Sequence, residues 1–152
     1  MLNWFKKKPP PLQSISPGWG KLRVGYLRGS NQKTVVAYLN EKSIVRHPEL
    51  PVYFHLALKH VRVADQPHFL YPAYGNVEEK LNGYLDGPPR IGLLIYELRD
   101  QTACEWLAYL TSVTQASLLA AQLRQDFPDL PLKVIYEFDP DWTMYHADVP
   151  LR

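Results

Sequence analysis

The chain has 152 residues, 46% of them hydrophobic and 21% charged, with a formal net charge of +2. That length and balance suit one globular domain able to bury its own core, and they exclude a disordered polar chain. The near-neutral charge lacks the basic excess of a duplex-binding domain. The single cysteine, Cys104, excludes an internal disulfide framework and points to a reducing compartment.

At the N-terminus, apolar Leu2, Trp4 and Phe5 precede Lys6, Lys7 and Lys8, and no apolar stretch follows. That order is wrong for a signal peptide, so the expected address is the cytoplasm. No run approaches the ~20 apolar residues of a bilayer span, so integral membrane association is not expected. Residues 1–18 read as a basic, proline-rich tail, since Pro9, Pro10 and Pro11 favour an extended conformation. The tail is expected in solvent, or as an arm lying on its own domain or a neighbour. Residues 19–152 read as a single α+β domain.

Strand alternation over Lys21 to Arg28 and over Lys33 to Leu39, with turn residues Gly29 to Gln32 between, predicts a β-hairpin. Val52 to Val63 reads as a long strand with Val52, Phe54, Leu56 and Leu58 on one face. A helix is expected over Val77 to Leu85, capped by Asn76 with Glu79 three residues on. Its apolar stripe is Val77, Leu81, Tyr84 and Leu85, and Gly87, Pro88 and Pro89 end it. Ile91 to Leu98, nearly all apolar, reads as a central strand, followed by a strand over Thr102 to Leu110. A second helix spans about Gln115 to Phe127, with Ser112 or Thr114 as its cap. The last strand is Leu132 to Phe138.

The order β-β-β-α-β-β-α-β predicts a ferredoxin-like antiparallel sheet with two helices on one face, preceded by the extra N-terminal hairpin.

Chemistry-bearing patterns are sparse. His55 and His60 would lie on opposite faces of their strand, and neither these nor His47, His68 and His146 show a zinc-ligand spacing with Cys104. Cys104 shares a strand face with Trp106 and Leu110, which suits a buried thiol more than a nucleophile. No G-x-S-x-G elbow, Walker loop or G-x-G-x-x-G run is present. Glu78 and Glu79, adjacent on a helix, point ~100° apart and read as first-turn acids. No catalytic, cofactor-binding or metal-binding residues are assigned. Tyr96, Trp106, Tyr109 and Tyr136 would stack on bases if exposed, but as core or sheet-surface residues they do not favour nucleic acid. At the C-terminus, Asp139 is a candidate cap, and Trp142 and Tyr145 are spaced i, i+3. A short terminal turn would pin both aromatics on the body, so a folding clasp with a buried Trp is the favoured reading; in the functional alternative, Asp141, Trp142 and Tyr145 are the candidate partner-binding residues.

The run Tyr136-Glu137-Phe138-Asp139-Pro140-Asp141-Trp142-Thr143-Met144-Tyr145 resembles the closing motif of the bacterial "domain of unknown function 695" family. The resemblance extends from about Trp19 to Tyr145; the family's final Tyr-Pro is Val149-Pro150 here. It implies no activity and no site residues. The family's architecture resembles that of a bacterial ribonuclease E regulator, which implies binding a protein rather than turning over a substrate. The expected function is thus a non-enzymatic protein-binding or regulatory module, acting on a protein partner or as a homodimer. The alternatives are a single-stranded nucleic-acid-binding domain, an immunity or antitoxin-like protein and, last, a small enzyme.

Overall fold

The computed structural model describes residues 8–15, 23–27, 34–38, 44–59, 71–99 and 103–148. Several expectations fall outside them: the role of Leu2 to Lys7, the turn at Gly29 to Gln32, Trp19, His60, His68 and the Val149-Pro150 ending. The strands are β1 (Arg23–Leu27), β2 (Thr34–Tyr38), β3 (Val52–Lys59), β4 (Gly92–Arg99), β5 (Ala103–Leu110) and β6 (Leu132–Phe138). The helices are α1 (Tyr71–Asp86), α2 (Val113–Asp126) and α3 (Thr143–Asp148). The fold is α+β. One sheet runs in the order β1-β2-β4-β5-β3-β6, and every neighbouring pair is antiparallel. Among the described residues, no helix is long and apolar enough to cross a membrane.

Period-two alternation sorts the sheet's side chains into two cores. Val52, Phe54, Leu56 and Leu58 of β3, with Cys104, Trp106, Ala108 and Leu110 of β5, face α1 and α2. The helices answer with Tyr74, Val77, Leu81 and Leu85 from α1 and Ala116, Leu119, Ala120 and Leu123 from α2, each a stripe at helical spacing. The opposite face carries Tyr53, Leu93, Ile95, Tyr96, Leu107 and Tyr109. It is covered by Leu12, Ile15, Ile44, Leu50 and Trp142. A sheet buried on both faces explains why β3, β4 and β5 read as almost continuous apolar runs.

α1 begins earlier than the sequence suggests. Asn76 lies inside it, not at its cap, and Pro72 sits in its first turn. A proline there costs nothing, because the first N–H groups of a helix have no intrahelical partner. The C-terminal end follows expectation, with Gly87 at φ 67°, a left-handed position that suits glycine. Gly92 is fixed by close approach: a Cβ there would sit 2.6 Å from the Tyr109 carbonyl oxygen. In α2 the Ser112 hydroxyl accepts from Gln115 N–H (3.1 Å) and caps the helix.

Residues 8–15, read from sequence as part of a tail, lie on the body. Leu12 and Ile15 are buried in the second core. Gln13 brackets Arg90, its Nε2 donating to the Arg90 carbonyl (2.8 Å) and its Oε1 accepting from the Arg90 amide (2.9 Å). His47 Nδ1 accepts from Glu49 N–H (3.1 Å), which leaves Nε2 to donate to the Pro10 carbonyl (2.8 Å). Leu12 N–H donates to Glu49 Oε2 at 2.9 Å. Pro9, Pro10 and Pro11 keep the start of this arm extended before a single 3-10 turn over Leu12–Ser14, so little backbone entropy is lost there when it docks.

Candidate functional site

Among the described residues, three places that gather polar or exposed groups bear on function. The first is a carboxylate–arginine–thiol cluster under α1. Pairing of β4 with β5 shifts between Leu94 and Tyr96, and a one-residue slip exchanges the faces. Glu97 and Arg99 are thereby carried to the helix side, where they face Trp106 and Cys104. Arg99 Nε donates to Glu97 Oε1 (2.6 Å) and its Nη2 to Glu78 Oε2 of α1 (3.1 Å). The Cys104 thiol donates to Glu97 Oε1 at 3.7 Å. Burial, and then the Glu97 charge, pushes the Cys104 thiol well above its ordinary value. Burial, followed by the Glu97 carboxylate, also raises Glu78, against the pull of Arg99. Beside them, the Trp106 indole N–H is buried with no partner. A thiol held protonated is no nucleophile. Iodoacetamide at pH 8 is therefore expected to leave Cys104 unmodified in the native protein and to alkylate it fully in denaturant. Rapid native modification, followed by intact mass, would contradict this.

The second place is the closing segment, where Asp139 organises a clasp. Its N–H donates to the Pro51 carbonyl (2.7 Å), and its carboxylate accepts from Thr143 N–H (2.9 Å), Met144 N–H (3.0 Å) and the Tyr109 hydroxyl (2.7 Å). The Tyr109 hydroxyl in turn accepts from Tyr145 N–H at 3.1 Å. Trp142 stacks on Tyr109 with ring centroids 3.9 Å apart and donates Nε1–H to the Leu50 carbonyl at 2.9 Å. Of the sequence-predicted partner-binding residues, Trp142 is 1% exposed and faces inward. Asp141 is exposed and Tyr145 half-buried against Trp142. Pro140 lies in the turn before α3, closed by Trp142 N–H on the Asp139 carbonyl (3.0 Å).

Burial alone would raise Asp139. The hydrogen bonds from Met144, Tyr109 and Thr143 outweigh it and hold the carboxyl below its ordinary value. A depressed carboxyl contributes stability above its unfolded value, and that contribution is lost as pH falls through the folded one. The clasp is therefore expected to weaken below about pH 4. Urea midpoints measured through that range should fall less steeply in Asp139→Asn than in the native chain. Equal slopes would contradict the assignment.

The third place is β6, which ends the sheet. Val52↔Phe138 through Leu58↔Leu132 pair its inner side with β3, and among the described residues no strand pairs with its outer side. Leu132, Val134 and Tyr136 pack partly against the α1–α2 core. On the opposite face, Lys133, Ile135 and Glu137 are exposed. Ile135 is 45% exposed and Phe138 66%. The clasp continues directly from this strand, so its hydrogen bonds fix the end of the edge as well as the tail of the chain.

The other aromatics weighed from sequence are inside: Tyr96, Trp106 and Tyr109 are buried and Tyr136 is half-buried. These four therefore offer no open stacking face. Among the described residues, no group of three or more His, Cys, Asp or Glu side chains is placed to hold a metal. A shallow depression lined by Asn76, Glu79, Lys80, Gly83, Tyr84 and Phe127 lies between α1 and the end of α2. Sequence reasoning missed the β6 edge because alternation locates a strand without saying where it stands in the sheet. The signal present was the charged pair Lys133 and Glu137, which flank Ile135 on one face of the strand. No protein-family model matches the chain, and neither the curated proteins nor the solved structures contain a match.

Proposed function

We propose that this chain is a non-enzymatic protein-binding module whose docking surface is the outer edge of β6, continued by Phe138, Asp141 and Tyr145. The observation that carries this reading is a seven-residue strand whose outer edge is unpaired among the described residues, with Ile135 and Phe138 exposed beside it. An edge of this kind takes up a further strand through main-chain hydrogen bonds, while alternate side chains supply selectivity. Natural folds shorten, cover or twist such edges when nothing is meant to bind. The clasp supports the role by holding the strand's end rigid, which lowers the ordering cost of association.

The sheet order β6-β3-β5-β4, with α1 and α2 crossing the same face, supports a ferredoxin-like arrangement extended by β1 and β2. The closing motif's resemblance to the family named above, and that family's implied protein binding, point the same way. A cytoplasmic setting belongs to the same proposal.

The test is parallel capture from native lysate with the native chain and with Ile135→Lys/Phe138→Lys, both changes on exposed positions. The expected result is a bound protein that the double variant loses. An identical bound set from both chains would overturn the edge as the docking surface.

A further inference from the structure

We propose that the occupant of the β6 edge is a second copy of the same chain, joined antiparallel about a two-fold axis through Ile135. The proposal rests on the edge reading above and names the partner.

The edge's hydrogen-bonding register follows from one contact. Asp139 N–H donates to the Pro51 carbonyl across the continuation of the β3–β6 pairing. In an antiparallel pair, the backbone groups of successive residues point alternately to the two sides. Glu137, Ile135 and Lys133 therefore turn theirs toward β3, and Phe138, Tyr136, Val134 and Leu132 turn theirs outward. Leu132 N–H is occupied by the Leu130 carbonyl at 2.9 Å. The outward N–H groups of Val134, Tyr136 and Phe138 remain to be satisfied by water or a strand.

The side chains choose the strand. Leu132-Lys133-Val134-Ile135-Tyr136-Glu137-Phe138 is symmetric in character about its centre. Antiparallel pairing through Ile135 sets each Lys133 opposite Glu137 of the second copy, giving opposite charges directly across the junction. On the helix face it sets Val134 opposite Tyr136 and Leu132 opposite Phe138, branched aliphatic residues against aromatics. The two Ile135 side chains meet in a pair without direct hydrogen bonds, where side chains approach most closely. Phe138, 66% exposed in one copy, packs against the other. Val134 N–H and Tyr136 N–H each find a carbonyl, and Phe138 N–H reaches the Leu132 carbonyl. Charges on an edge deter indiscriminate pairing, but this spacing turns them into a self-complementary code. The interface is isologous and closes as a dimer, with no open edge left at the junction.

The test uses sedimentation equilibrium of the full chain with Lys133→Glu, with Glu137→Lys and with both together. All three are exposed substitutions, and far-UV circular dichroism confirms that each folds. The native chain is expected to dimerise reversibly with concentration. Each single reversal, which places like charges across both junction pairs, is expected to weaken the dimer about tenfold. The double reversal is expected to restore it, because exchanging the two charges sets opposite signs across each junction pair again. Ile135→Cys is expected to form a disulfide-linked dimer under mild oxidation, with Cys104 remaining reduced. A dimer unaffected by the single reversals, or not restored by the double one, overturns the pairing. A chain monomeric at every concentration also overturns it. If that monomer still loses a captured protein on Ile135→Lys/Phe138→Lys, self-pairing fails while the edge reading stands.

Discussion

Trp142→Ala is expected to destabilise the fold by about 3–5 kcal/mol, read as a lowered urea midpoint with little change in slope. Trp142 fills the second core at 1% exposure, stacked on Tyr109 and edge-on to Tyr145 with centroids 5.6 Å apart. Truncation opens a cavity between the sheet and the closing segment. It also strips the Leu50 carbonyl of its Nε1–H donor, and a buried acceptor left alone costs free energy of its own. The residue stands at φ 57°, a conformation a bulky side chain adopts only where its surroundings over-determine it. Here the Asp139 turn on one side and the Tyr109 stack on the other impose it. Trp142→Phe keeps the stack and loses the N–H, so it is expected to cost about 1–3 kcal/mol. A full-length chain with Trp142→Ala as stable as native would show that the clasp does not hold the fold.

Arg90→Ala is expected to cost about 3 kcal/mol, toward the lower end for breaking a buried ion pair because Asp86 keeps some access to water. Arg90 is 5% exposed, its Nη1 donating to Asp86 Oδ1 at 2.7 Å and its Nε and Nη2 to the Ile15 carbonyl at 3.3 and 3.1 Å. One guanidinium thus ties the end of α1 to the N-terminal arm. Removing it leaves a carboxylate and a carbonyl unsatisfied and frees the covering over Leu12 and Ile15. Arg90→Lys keeps the charge but not the fork, so it is expected to recover only part of the loss. Paired urea titrations measure both. An Arg90→Lys chain as stable as native would show that charge alone, without the fork, suffices.

How much of this was legible before the structure depends on whether the determinant is local. β6 coincides with its expected span because Leu132, Val134, Tyr136 and Phe138 recur at period two between Pro131 and Pro140. The Ser112 cap and the Gly87 exit were readable for the same reason: each is a short-range backbone requirement with few residue types that meet it. The start of α1 was not, since Pro72 carries the same letter whether it stops a chain or opens a helix. The shift at Leu94 and Tyr96 has no local signature. Without it Glu97 would be assigned to the wrong face, and the Glu78–Glu97–Arg99–Cys104 cluster could not be drawn. Leu12 and Ile15 fall in the stretch read as a proline-rich tail, and nothing local marks them as core because their partners, Ile44, Leu50 and Trp142, are distant in the chain. Of the candidate site, Asp141, Trp142 and Tyr145 were singled out by a capping aspartate and the i, i+3 spacing of the two aromatics. That spacing suits a clasp with Trp142 turned inward, as the structure has it, but nothing local shows that Phe138, a strand residue of ordinary appearance, turns out.

Self-pairing of β6 would engage the outward backbone groups of that strand. Amide hydrogen exchange, followed residue by residue in dilute and in concentrated solution, tests it most directly. Exchange at Val134, Tyr136 and Phe138 is expected to slow as concentration rises, while Ile135 and Glu137, bonded toward β3, stay protected throughout. Exchange at the first three that is fast and independent of concentration would contradict pairing of this edge with a second copy.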